Sequence, residues 1–285
     1  MSNLETIRRV SDLRARIAGW RKSGLSVGLV PTMGALHDGH FSLVQRSVKS
    51  MDRTIVTLFV NPRQFGPNED FGTYPRTEEA DAAALARHGA HVLFAPGVEE
   101  MYPSGAVTTV SVPGIGDILE GSFRPGFFTG VATVVTKLLV QSLPDVAFFG
   151  EKDYQQLCVI TRMAADLDIP VAIQGCAIVR EVDGLALSSR NVYLNAEERK
   201  VASALNRALN DIVAEIRAQG LSAVAAAEKR ARQAVLAAGF RQVDYITVRD
   251  AKNLEPVTDV SKPARVLAAA WLGRTRLIDN IPLHD

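Results

Sequence analysis

Cysteine is scarce in this chain and an excess of either charge is missing. The two cysteines among 285 residues, Cys158 and Cys176, lie inside apolar segments without a CxxC spacing. That excludes a disulfide framework and a cysteine-built zinc site, and fits buried thiols in a reducing compartment. Lys and Arg total 32 against 31 Asp and Glu, a net charge of +1, so no global field gathers nucleic acid or an anionic membrane. Phosphate recognition, if present, must be local. No apolar stretch reaches membrane-spanning length without charge or glycine, and the first residues show no basic region leading into an apolar one. The expectation is a soluble, unprocessed, cytoplasmic protein with no membrane or nucleic-acid partner. Internal repeats, low-complexity tracts, a Gly-x-x-x-x-Gly-Lys-[Ser/Thr] loop and a Cys/His metal cluster are also missing.

What is present is the composition of a globular enzyme, 47% hydrophobic and 22% charged, in a chain long enough for two domains. It is organised around Pro31-Thr32-Met33-Gly34-Ala35-Leu36-His37-Asp38-Gly39-His40, between the apolar run Val27–Val30 and a helix-like run from Phe41 to Met51. A buried strand, a glycine-bearing turn and a helix start present backbone N–H groups and a positive helix end to a phosphate. The spacing of His37 and His40 puts both imidazoles on one side of a first helical turn, where neutral or cationic N–H groups can donate to triphosphate oxygens. A helix-capping pair, or two ligands of a metal, is the bland alternative for these residues alone.

Along the rest of the chain, Leu4, Ile7, Val10, Leu13 and Ile17 recur at three- and four-residue steps and predict an amphipathic helix. Thr54–Val60 reads as a strand covered on both faces, and its end brings Asn61 and Gln64 to the carboxyl edge of a parallel sheet. Thr77 is the expected cap of a helix whose Glu78, Glu79 and Asp81 favour its positive end. His91–Phe94 is a third strand. Residues 107–128 break into short pieces and glycines and read as a flap or irregular insertion, followed by helical spacing through Val131, Val134, Val135 and Leu138.

Asp145–Phe149 is a fourth strand that meets Gly150-Glu151-Lys152-Asp153, where a tight turn, a lysine and a helix start repeat the first design. After a strand from Val171, Leu187-Ser188-Ser189-Arg190 sets two hydroxyls beside a guanidinium, a donor-only clamp for polyphosphate. Asn195 with Glu198 forms an Asn-x-x-Glu start for a long helix to about Gln219, a second helix covers roughly 222–238, and three strands of an antiparallel sheet follow. The prediction is an α/β, Rossmann-like parallel-sheet domain over 1–180 and a smaller α+β lid domain over 181–285.

The histidine turn, Phe59-Val60-Asn61-Pro62-Arg63-Gln64-Phe65-Gly66, Phe149-Gly150-Glu151-Lys152-Asp153-Tyr154-Gln155-Gln156 and Asp183-Gly184-Leu185-Ala186-Leu187-Ser188-Ser189-Arg190-Asn191 together closely resemble the pantoate:β-alanine ligase family. This family belongs to the cytidylyltransferase-like superfamily, where His37–His40 corresponds to the HxGH signature and Ser188–Arg190 to a KMSKS-like loop. The resemblance spans nearly the whole chain. It implies a homodimeric ligase that makes pantothenate, AMP and diphosphate from (R)-pantoate, β-alanine and ATP through a pantoyl adenylate.

It further implies an ATP site of Met33, Gly34, Ala35, Leu36, His37, Asp38, Gly39, His40, Gly150, Glu151, Lys152, Asp153, Val179, Leu187, Ser188, Ser189 and Arg190. His37, His40, Lys152, Ser188, Ser189 and Arg190 are the catalytic candidates, with His37 the proton donor. Gln64 and Gln156 would bind pantoate, with Gln64 also where β-alanine enters, Asn61 would orient Gln64 or the nucleotide side, and Met33, Phe59, Val131, Val134, Val135 and Phe149 would wall the gem-dimethyl group of pantoate. Mg²⁺ would ride on ATP phosphates, with Asp81 its candidate protein ligand. Three departures from the family stand out: Phe127 occupies a position where many members carry His, Leu187 replaces a Met, and the acidic run around Asp81 is reduced. Rival readings are adenylyl transfer onto a phosphate acceptor, which Gln64, Gln156 and the valines suit poorly, and a tRNA-binding or nucleotide-sensing relative.

Overall fold

A computed structural model describes residues 4–66, 69 and 71–284. Two compact units make up the chain, Met1–Glu151 with Val159–Ala177 and Lys152–Cys158 with Ile178–Asp285.

In the first unit, β1 (Glu5–Ile7), α1 (Val10–Lys22), β2 (Val27–Thr32), α2 (Asp38–Ser50), β3 (Arg53–Leu58), α3 (Glu78–Arg87), β4 (Val92–Phe94), α4 (Val98–Met101), α5 (Glu120–Phe123), α6 (Phe127–Ser142) and β5 (Val146–Gly150) follow in order. Helix α7 (Tyr154–Asp166) has residues in both units, and β6 (Ala172–Cys176) returns to the first. The six strands form one sheet in the order β1-β4-β3-β2-β5-β6, and every pairing is parallel. Strand order reverses at β2: β3 and β4 lie on one side, β5 and β6 on the other. In open α/β sheets such a reversal opens a crevice at the carboxyl ends of the strands. Leu29, Val30, Ile55, Val56 and Phe148 are fully buried, as a sheet covered on both faces requires.

The amino-terminal periodicity resolves differently from the predicted helix. Glu5–Ile7 pairs in parallel with Val92–Phe94 as an edge strand, and the helix starts only at Val10, burying Leu13 and Ile17. The stretch read as irregular over 107–128 is so only to residue 119, since α5 fills 120–123 and α6 begins at Phe127; the irregular part is strapped down, with Val110 N–H donating to Thr133 Oγ1 at 2.9 Å and Arg63 Nη1 donating to Thr108 O at 3.4 Å.

The second unit contains α8 (Ala196–Val201), α9 (Ala204–Gln219), α10 (Val224–Ala237) and the antiparallel sheet β7 (Gln242–Asp250), β8 (Ala264–Leu272) and β9 (Thr275–Pro282). The Asn195 start forms as expected: its Oδ1 accepts from Glu197 N and Glu198 N, and Glu198 Oε2 accepts from Asn195 N. The predicted long helix is two helices, parted at Ala202 and Ser203. Leu205, Leu209, Ile212 and Ile216 of α9 join Ala227, Ala231 and Val235 of α10 and the sheet's Val243, Val248 and Val266 in one core. The alanines let α10 approach α9 closely.

Candidate active site

Three neighbouring strands of the first unit carry the predicted site residues at their carboxyl ends. The 33–40 turn follows β2, Asn61 and Gln64 follow β3, and Gly150 closes β5.

The histidine turn differs from a phosphate-binding loop of open amides. Gly34 N donates to Thr32 Oγ1, and Ala35 N and Leu36 N donate to the Asp81 carboxylate. His37 N donates to His40 Nδ1 at 3.3 Å, Gly39 N to His37 Nδ1 at 3.2 Å, and His40 N to His37 O at 2.8 Å. The backbone N–H groups of Gly34, Ala35, Leu36, His37, Gly39 and His40 are thus engaged within the protein. Because both Nδ1 atoms accept from backbone N–H groups, the ring hydrogen of each neutral imidazole sits on Nε2. The capping reading and the functional one therefore describe the same atoms: His37 is the N-cap of α2 and His40 completes a reciprocal capping box. The two rings lie 4.2 Å apart between centroids.

Asp81 is buried at the start of α3, and its oxygens accept from Ala35 N, Leu36 N and the Thr77 hydroxyl, each at 3.0 Å. Thr77 stands at the predicted N-cap position, but its hydroxyl serves Asp81 instead of capping the helix amides.

Asn61 is 1% exposed and uses its whole side chain. Its Oδ1 accepts from Arg63 N and Tyr102 Oη, and its Nδ2 donates to Gln64 Oε1 and Gly130 O. Gln64 is held in turn, with its Nε2 3.1 Å from Met33 Sδ. Asn61 thus bonds directly to the Gln64 side chain; Tyr102 joins them from a part of the sequence that no motif marks. Burial pushes the Tyr102 hydroxyl up to about 12, with Arg63 pulling weakly the other way, so it remains a donor through the neutral range. Gly130 is a second residue that motif reading missed. A Cβ there would lie 2.2 Å from Arg63 O and 2.8 Å from Gln64 Cα, so only glycine lets α6 approach the 62–64 turn. Phe59, Val131, Val134, Val135 and Phe149 are all buried apolar side chains. Phe127, at the family's His position, lies under the Arg124 guanidinium at 3.7 Å, and Arg124 also pairs with Glu69 at 2.7 and 2.6 Å.

In the second unit, Lys152 and Asp153 belong to a single 3₁₀ turn with Glu151, ahead of α7, and Gln156 sits in the first turn of that helix. Lys152 Nζ lies 3.7 Å from Asp153 Oδ2, and Lys152 O accepts from Asn280 Nδ2 at 3.0 Å. Leu187 N donates to Val179 O at 3.0 Å. Ser188 caps the 3₁₀ turn Ser189–Tyr193 by accepting from Arg190 N at 3.3 Å. Behind this loop, Arg180 makes a two-pronged pair with buried Asp279, both arms at 2.8 Å, which fixes the backbone bridge from Arg180 to Ala186.

Neither cysteine suits nucleophilic chemistry. Burial pushes the Cys158 thiol up to about 11 and raises that of Cys176. Among the described residues no group of three or more His, Cys, Asp and Glu could hold a metal ion, and no helix is long and apolar enough to cross a membrane.

A parallel sheet that reverses its strand order at β2, with the loops after β2, β3 and β5 gathered at that point, belongs to the Rossmann-like α/β class, which binds ligands in the crevice there. Within that class the match is specific. The family model for pantoate-beta-alanine ligase matches residues 5–282. Pantothenate synthetase of Paramagnetospirillum magneticum is 60% identical over 278 residues, 96% of each chain, and that of Rhodospirillum rubrum is 53% identical over 99% of each. The crystal structure of pantothenate synthetase from Thermus thermophilus superposes with a TM-score of 0.90 at 46% identity, covering 99% of this chain and 100% of that one. A pantoate-beta-alanine ligase from Francisella tularensis, complexed with beta-gamma ATP and beta-alanine, gives 0.83 at 32% identity over 99% of each chain. The chain belongs to the pantoate-beta-alanine ligase family, and it is a ligase.

Proposed function

We propose that this chain condenses (R)-pantoate with β-alanine at the expense of ATP, giving pantothenate, AMP and diphosphate through a pantoyl adenylate. The observation that carries the reading is the reciprocal capping of α2 by His37 and His40, which puts the hydrogen of both rings on Nε2 at the reversal point of the sheet.

In the first step a pantoate carboxylate oxygen bonds to the α-phosphorus, and the bond from that phosphorus to the bridging oxygen breaks as diphosphate leaves. The nucleophile is already ionised at neutral pH, so the protein's task is alignment and charge stabilisation. The Nε2–H groups of His37 and His40, with Lys152, Ser188, Ser189 and Arg190, supply donors only, the set that growing negative charge on the departing oxygens calls for. His37 is assigned as the proton donor, acting on the departing oxygens through its Nε2–H. The remaining nucleotide contacts are assigned to Met33, Gly34, Ala35, Leu36, Asp38, Gly39, Gly150, Glu151, Asp153, Val179 and Leu187. In the second step the β-alanine nitrogen bonds to the acyl carbon, AMP leaves with the bonding electrons, and the nitrogen gives up a proton. This step requires that water be kept from the mixed anhydride. Gln64 and Gln156 are assigned to pantoate, with Met33, Phe59, Val131, Val134, Val135 and Phe149 against its methyl groups.

Mg²⁺ enters with ATP as part of the co-substrate. The resemblance also supports a cytoplasmic homodimer and a division of labour between residues 1–180 and a lid at 181–285. The test is product analysis on purified protein. AMP and diphosphate should appear only when ATP and pantoate are both present, and the amide only when β-alanine is added. Formation of ADP, or AMP release indifferent to pantoate, overturns the reading.

A further inference from the structure

Asp81 is the one carboxylate that the sequence offers to Mg²⁺, and its surroundings do not fit that ion. All three groups against it are donors, two backbone N–H groups and a hydroxyl, each at 3.0 Å with hydrogen directed at the carboxylate. A Mg²⁺ ion, held at roughly 2.0–2.1 Å from an oxygen, would face the positive ends of those dipoles. No further His, Cys, Asp or Glu completes a ligand set among the described residues.

The backbone that Asp81 holds is the more telling feature. Gly34 has φ +89° and Ala35 φ +52°, a left-handed pair that includes a residue with a Cβ. An L-residue keeps such a conformation only where its surroundings over-determine it. Asp81 Oδ2 accepts from Ala35 N and Oδ1 from Leu36 N, so one carboxylate fixes two successive peptide planes. The next residue is His37, extended at φ −138°, ψ 177°, whose Nδ1 must meet Gly39 N to cap α2. Thr77 Oγ1 donates to Oδ2 and ties the carboxylate to the start of α3.

From this geometry we infer that Asp81 is a positioning residue: it locks the Gly34–Leu36 turn and thereby aims the Nε2–H of His37 at the nucleotide, and it is not a ligand of Mg²⁺. The inference rests on the nucleotide reading of the histidine turn, so the wild-type protein is tested first. If wild type neither binds ATP nor forms AMP with pantoate, the ligase reading falls. If it does both, the variants decide on Asp81 alone.

Asp81→Asn keeps the size but removes one acceptor, and ATP binding is measured by calorimetry in EDTA and again in excess Mg²⁺, beside full steady-state kinetics. The ATP dissociation constant should rise about tenfold or more under both conditions, while the pantoate KM moves by less than about twofold. The Mg²⁺ concentration for half-maximal rate, at matched ATP saturation, should not change. A loss confined to the Mg²⁺ condition, or recovery as Mg²⁺ is raised, assigns Asp81 to the metal and overturns the inference. Unchanged ATP affinity overturns it as well. If Asp81→Asn does not fold by circular dichroism, Thr77→Val and Thr77→Ser decide: Val should weaken ATP by about threefold or more and Ser should match wild type. Equal affinity in both overturns the proposal.

Discussion

The Tyr102 hydroxyl donates to Asn61 Oδ1 at 2.9 Å, across 41 residues of sequence, and through Asn61 it decides which way the Gln64 amide faces. With Oδ1 occupied by two donors, Asn61 must turn Nδ2 toward Gln64 Oε1 and Gly130 O, and Gln64 must present Nε2 toward Met33. Four hydrogen bonds to one buried amide leave it no second orientation.

Removing that hydroxyl should therefore act on the substrate assigned to Gln64. For Tyr102→Phe the pantoate KM is expected to rise about three- to tenfold, with ATP KM unchanged, since one buried hydrogen bond is lost and the ring remains. Steady-state kinetics with each substrate varied in turn is the measurement. Equal pantoate KM values in variant and wild type would show that Gln64 is oriented without Tyr102.

Gly130 makes the same point from the backbone side. Alanine there puts Cβ 2.2 Å from Arg63 O, a backbone atom that cannot swing away. Gly130→Ala should lower stability by about 1–3 kcal/mol in denaturant unfolding and should raise pantoate KM, because α6 and the 62–64 turn must separate. Unfolding that coincides with wild type refutes the close approach.

His37 serves two roles through two nitrogens, and they can be separated. Asparagine is a good N-cap but has no donor at the Nε2 position. His37→Asn should keep a melting temperature near that of wild type while turnover falls by about 10²-fold, whereas His37→Ala should lose both cap and turnover. Lys152→Ala should likewise cost about 10²-fold in turnover. Near-normal turnover in either His37→Asn or Lys152→Ala removes that residue from the site.

What could be read in the sequence was local. The strand, the glycine turn and the helix start around His37 lie within a few residues of one another, and so does the Asn195–Glu198 capping box; both formed as read. Glu5–Ile7 reads as helix because a three-residue edge strand beside a helix continues the helix's own spacing, and its partner β4 is far along the chain. The break between α8 and α9 left no glycine or proline to mark it. Asp81 has the sequence signature of a helix-dipole charge, and only the fold shows the two amides it accepts. Tyr102 and Gly130 were invisible for a related reason: their partners are set by how α6 and the 62–64 turn meet.

His91 gives the first unit a pH dependence whose sign follows from its contacts. Its Nδ1 accepts from Thr54 N at 3.2 Å and its own N–H donates to Thr54 O at 3.0 Å, stitching the approach to β4 onto β3. Burial, helped by nearby Arg53, pulls the imidazole below its ordinary 6.5, so the folded protein holds it neutral. An accepting Nδ1 requires that neutral form, since imidazolium has no acceptor. The unfolded chain titrates at the ordinary value and binds more protons just below it, so stability rises with pH across that interval. The contribution is complete above pH 6.5 and is lost as pH falls from there toward the folded value. Denaturant unfolding at about pH 7.5 and about pH 5.5 should show lower stability at the acid value, and His91→Asn, which keeps an acceptor but does not titrate, should narrow the difference. A variant whose stability falls with acid as steeply as wild type would place the pH dependence elsewhere.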